Sequence, residues 1–138
     1  MKNPKARGNG LKIQIINPLQ HFRWRRGYDE VLLGYEVEWR KEPLESHDMD
    51  CYIFMWCDEQ LRSFLSSRNV PKSKVIAFLR RYEFYHFQLE EYEWDKCDAV
   101  ICVNDFLAGG FHARTGVMPH ILYNAVNLDE WTYRERGH

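Results

Sequence analysis

Arg80 and Arg81 stand side by side, with Tyr82 and Glu83 directly behind them, where the apolar run KVIAFL of residues 74–79 ends. Two adjacent guanidinium groups offer planar, permanently charged donors for phosphate or carboxylate, and a carboxylate close behind can hold them. A purely structural ion pair is the competing reading. Other short apolar runs also end in polar residues: Asn17 after LKIQII, Asp58 and Glu59 after DCYIFMWC, Asn104 and Asp105 after DAVICV, and Asn124 after HILY. Glu83, Asp58 and Glu59 are therefore the candidate acid/base carboxylates, and Arg80, Arg81, Tyr82, Asn17, Asn104, Asp105 and Asn124 the candidate substrate-binding groups. Arg23, Arg25 and Arg26, in the loop after LKIQIIN, add positive charge beside the same positions. Asp58, Asn104 and Asp105 also suit helix starts, where a side-chain oxygen accepts backbone N–H groups or offsets the dipole.

Several chemistries are excluded by what is missing. Dinucleotide binding needs GxGxxG after the first strand, and Gly27 is the only glycine near that position. No GxxxxGK[ST] is present for a phosphate-binding loop, and Asn17 and Pro18 stand where a phosphoacceptor site needs paired acids. The six histidines make no HExxH; His86 lies one turn past Tyr82 and could face the same rim. Cys51, Cys57, Cys97 and Cys102 form no CxxC, so they are expected to be reduced and mostly buried, with no metal site. The 21 aromatic residues suit a core, and those at a rim could stack on a sugar ring.

These residues need elements to position them. LKIQIIN, closed by Pro18, reads as a buried strand; Tyr28, Val31, Leu32 and Tyr35 follow helical spacing before Gly34; and residues 35–40 alternate with period two. The run at 50–57 is a strand apolar on both sides, and a helix carrying Leu61, Phe64 and Leu65 follows it. After the strand at 74–79 comes a helix carrying Tyr85, Leu89 and Tyr92, then a strand at 98–103, a helix from Asn104 to Gly116 and a strand at 120–123. Strands alternating with helical segments predict right-handed crossovers. The fold class is α/β, a Rossmann-like doubly wound parallel sheet of about six strands with helices on both faces. In such a sheet ligands bind outside the carboxyl ends of the strands, which is where the candidate residues fall.

With 138 residues, 45% of them hydrophobic and 28% charged, the chain is long enough for one domain with a core and too short for two catalytic lobes. Residues 1–10 read as a flexible basic leader, 11–131 as the domain, and 132–138 as a tail or the start of a linker. Residues 1–28 hold seven Lys/Arg and no acid, so the other twelve bases stand against all twenty acids. That polarity argues against nucleic acid as a partner and for one local anion site near the start. No apolar run approaches the ~18 residues of a membrane span, and the first ten residues lack the apolar stretch of a secretory signal, so the expected compartment is the cytoplasm.

The segments KVIAFLRRYE, WDKCDAVICVNDFL and HILYNAVNLDEW resemble the end of the N-terminal, acceptor-side domain of GT-B glycosyltransferases, similar to the retaining "group 1"-type families. Val103 to Leu107 match the family pattern "aDaVIaVSeFl", and Asn124 to Asn127 match "viyNGVD", with Ala125 and Asn127 in place of its glycine and aspartate. An arginine-rich loop replaces the glycine-rich one often found after the first strand. The resemblance implies sugar transfer from a nucleotide-sugar, a co-substrate held mainly by a C-terminal donor-binding domain or subunit, to a carbohydrate or lipid-linked acceptor, with no other cofactor. An acceptor platform alone cannot align donor and nucleophile, so little or no activity is expected of this chain by itself. The alternative is a nonenzymatic α/β binding or interaction module. A peripheral contact of Phe22–Arg26 with the inner face of a membrane is a further expectation.

Overall fold

The structure, a computed structural model, describes residues 10–19, 29 and 31–123. Six strands, β1 (Lys12–Ile16), β2 (Glu36–Arg40), β3 (Cys51–Phe54), β4 (Lys74–Phe78), β5 (Ala99–Cys102) and β6 (His120–Ile121), form one sheet in the order β2-β1-β3-β4-β5-β6. Every pairing is parallel. Helices α1 (Glu59–Ser67), α2 (Arg81–His86) and α3 (Asp105–Thr115) lie in the connections after β3, β4 and β5.

Side chains alternate across the pleat. Tyr52, Phe54, Val75, Ala77, Val100 and Cys102 face the main core, where Leu61, Phe64 and Leu65 of α1 and Leu107, Ala108 and Phe111 of α3 close over them. Ile13 and Ile15 face the other way and pack with Met55, Val37, Trp39 and Leu32, the last from the β1–β2 connection. The chain thus leaves the sheet on opposite faces to either side of β1. The α/β, doubly wound reading holds, and its switch point lies between β1 and β3.

Local signals act as expected at three helix ends. The Asp58 carboxylate accepts from Leu61 N–H at the start of α1, the Asn104 amide oxygen from Leu107 N–H at the start of α3, and Gly116 ends α3 in the left-handed conformation at φ 80°.

Two expectations need correction. The helix expected to carry Tyr85, Leu89 and Tyr92 is instead the six-residue α2 followed by two 3-10 turns, Leu89–Glu91 and Trp94–Lys96. Tertiary bonds override the helical spacing: the Tyr92 hydroxyl donates to Cys57 O at 3.0 Å, Trp94 Nε1 donates to Leu89 O at 2.7 Å, and the two rings stack at 5.1 Å. The alternation of strand and helix also fails between β2 and β3, where residues 41–50 cross as an extended strap. Gln14, fully buried, holds that strap by accepting from Leu44 N–H and donating to Leu44 O, each at 2.9 Å.

Packing fixes α2 against α3. A Cβ on Gly110 would lie 2.6 Å from the Phe84 ring, so only glycine allows this approach without a shift. Arg114 donates to the carbonyls of Phe84 and Phe87, and its guanidinium lies 5.0 Å from the Phe84 ring centre. The short helix that carries Arg81, Tyr82 and Glu83 therefore has a defined seat.

Candidate functional site at the strand tips

The apolar run of β3 outlasts its ladder. Met55 N–H still donates to Ile16 O at 3.0 Å, after which Trp56, Cys57 and Asp58 form the tip that leads into α1. The tip of β4 lies alongside, and Glu83 ties the two. One oxygen of its carboxylate, Oε1, accepts from Cys57 N–H at 2.8 Å and from Arg80 N–H at 3.2 Å. Glu83 is fully buried, and its other oxygen, Oε2, has no hydrogen-bond partner. Burial pushes its carboxyl above the ordinary glutamate range, against the opposing pull of those N–H bonds and of Arg80.

Arg80 donates from Nε to Met55 O at 3.2 Å, and its guanidinium lies 5.5 Å from the Trp56 ring centre and 5.7 Å from that of Phe78. It packs along the rim. Arg81 differs: it is exposed, stacks over Tyr85 at 5.8 Å, and makes no hydrogen bond or ion pair among the described residues. Its five donors are unspent. Tyr82, also exposed, stacks on His86 at 4.3 Å.

The remaining candidates are largely engaged. Asp58 caps α1 through Oδ1, 3.2 Å from Leu61 N, and burial raises its carboxyl. Glu59 is exposed and pairs with Arg62 at 3.4 Å. Asn17, buried at the end of β1, accepts from Leu19 N–H at 3.2 Å, while its own N–H donates to Arg40 O. Asn104 caps α3 at 2.9 Å, and Asp105 accepts from the Tyr123 hydroxyl at 3.2 Å. Arg23, Arg25, Arg26 and Asn124 lie outside the described residues.

The parallel sheet thus collects the described candidates along one edge, in three groups. Asn17 belongs to β1, the set Asp58, Glu59, Arg80, Arg81, Tyr82 and Glu83 to β3 and β4, and Asn104 with Asp105 to β5. A strand spacing of ~4.8 Å puts the β5 tip roughly 10 Å from the β3 tip, within the span of one extended ligand.

Three buried side-chain polar atoms among the described residues have no partner: Trp56 Nε1, Gln60 Oε1 and Glu83 Oε2. All three come from the tips of β3 and β4 or the first turn of the helix that follows. A buried polar atom left unmet costs about 1–3 kcal/mol, so such atoms are rare and point to a missing partner. Trp56 and Gln60 escape sequence reasoning, since a tryptophan ending an apolar run and a glutamine in a first helical turn are ordinary. Their position just past β3 was the available signal.

A concavity lies elsewhere, over β1 and β2 beneath the strap. This cavity of about 340 Å³ is lined by residues that include Lys12, Gln14, Glu36, Glu38, Leu44 and Asp48. Lys12 bonds Asp48 at 2.8 Å, which holds the exposed Asp48 carboxyl down at about 2. The thiols serve neither place as nucleophiles. All four are unpaired, and burial pushes Cys51 up to about 11 and Cys97 to about 12, with Cys57 and Cys102 also raised.

No described helix is long and apolar enough to cross a membrane. No family model, curated protein or solved structure matches the chain.

Proposed function

We propose that this chain is the acceptor-binding N-terminal domain of a GT-B glycosyltransferase, completed by a donor-binding domain or subunit that supplies the nucleotide-sugar site. The observation that carries the reading is the set of buried, unpartnered polar atoms at the tips of β3 and β4, next to the unspent guanidinium of Arg81. One donor and two acceptors suit hydroxyl groups, which both give and accept hydrogen bonds, and Arg81 suits a phosphate on a lipid-linked acceptor. The resemblance of residues 74–131 to the family supports the same reading. Tyr82 and Tyr85, exposed beside Arg81, offer ring faces for a sugar.

One observation favours the alternative of a nonenzymatic binding module. Glu83 is buried as a clasp, Asp58 is a helix cap and Glu59 is paired with Arg62, so none of the three stands free as a general base. In the glycosyltransferase reading these carboxylates then shape the acceptor platform, and the reacting groups come from the acceptor and the opposing domain.

Calorimetric titration with phosphorylated oligosaccharides and, separately, with nucleotide-sugars tests the division of labour. The expected result is acceptor binding that Arg81→Ala weakens, with no measurable nucleotide-sugar binding. Tight, stoichiometric nucleotide-sugar binding by this chain alone would contradict it. Joining the chain to a donor domain then separates enzyme from module by whether sugar is transferred.

A further inference from the structure

Glu83 carries more than a helix cap needs. In an ordinary capping box the third-position glutamate reaches back to the N-cap N–H of its own helix, as Glu83 does to Arg80. Here the same oxygen also takes the N–H of Cys57, 26 residues away, at the tip of the neighbouring strand. The tips of β3 and β4, beside which the unpartnered polar atoms lie, are thus pinned by one carboxylate oxygen.

We propose that Glu83 is a protonation-dependent clasp that holds the β3–α1 and β4–α2 loops together when ionised and slackens them when protonated. The ionised group makes two charge-assisted bonds through Oε1, and a neutral carboxylic acid accepts roughly half as strongly. Protonation also places a hydroxyl where Oε2 now has no partner, so the acid form gains no compensating bond inside the fold. The groups around it are few. Arg80 at the β4 tip favours the ionised form; from the β3 tip come the Cys57 thiol and, one residue on, Asp58; Tyr92 bonds Cys57 O; and Arg81 and His86 on its own helix are exposed.

The clasp has an unusual thermodynamic signature. Because burial raises the folded-state value above that of the unfolded chain, the folded state binds the proton more tightly, and acidification through this window favours the fold. The rim loosens over the same window in which this group ceases to oppose folding. The inference is independent of what the rim binds.

A pH titration of the intact chain by NMR tests it, following the Glu83 carboxyl carbon together with the Cys57 and Arg80 amides. All three are expected to move with one midpoint above the ordinary glutamate range. Amide protection at Cys57 and Arg80, corrected for intrinsic exchange, should fall about fivefold on protonation. Glu83→Gln, which keeps an acceptor oxygen but cannot ionise, should flatten both amide responses. Amides that ignore the Glu83 titration in the wild-type chain overturn the proposal even if the variant does not fold. The same amide titration persisting in Glu83→Gln assigns it to Asp58 and overturns the proposal as well.

Discussion

The tips of β3 and β4 and the groove over β1 and β2 each bring polar groups together, but they treat them in opposite ways. In the groove, the Gln14 amide meets both backbone groups of Leu44, and Lys12 meets Asp48. At the tips, Trp56 Nε1, Gln60 Oε1 and Glu83 Oε2 are left unmet. The buried Gln14 amide of the groove thus already has its partners within the fold. Unmet atoms are where a further partner would add stability, so the proposed reading puts the ligand at the tips and not in the groove.

The largest expected effect breaks the tip side. Glu83→Ala removes the acceptor of two N–H groups and leaves a void, and should cost about 3 kcal/mol of unfolding free energy by urea titration, with ligand binding at the rim abolished. Glu83→Gln should lose far less, because one oxygen still accepts. Breaking the groove comes next. Gln14→Leu strands both Leu44 groups and should cost about 2 kcal/mol by the same measurement, while binding at the tips is unchanged. If Gln14→Leu impairs binding as much as Glu83→Ala does, the contrast between the two regions is wrong.

Arg81→Ala separates binding from stability at the tips. The side chain is exposed and bonded to nothing described, so stability should stay within about 0.5 kcal/mol while affinity for a phosphorylated acceptor falls roughly tenfold. The smallest effect is the exposed pair in the groove. Lys12 depresses Asp48, so its contribution is present above the unfolded aspartate value near 3.8 and is lost as pH falls through about 2. Asp48→Asn should remove that acid-side slope from the pH dependence of unfolding, leaving the neutral-pH midpoint nearly unmoved.

What could be read in the sequence follows the range of the interactions involved. Asp58, Asn104 and Gly116 act within four residues of themselves, and their type and spacing were enough to place them. Five of the six strands were legible as near-continuous apolar runs, and β2 by its period-two alternation. The break after α2 was not, because the Tyr92 hydroxyl bonds a carbonyl 35 residues away, at Cys57. Glu83 is the sharpest case. Beside two arginines it reads as an ion-pair partner or a base, and only the adjacency of β3 and β4 reveals that Cys57 N–H claims it and buries it. The position of β1 between β2 and β3, which creates the switch point, likewise depends on pairing that no local pattern encodes.

The most direct measurement is an amide and indole chemical-shift map recorded while a phosphorylated oligosaccharide is titrated into the chain. A ligand site at the strand tips predicts perturbations centred on the Trp56 indole N–H, Gln60 and Arg81, with Gln14, Leu44 and Asp48 unmoved. A map centred on the groove residues, or a Trp56 indole signal that stays fixed at saturation, would contradict it.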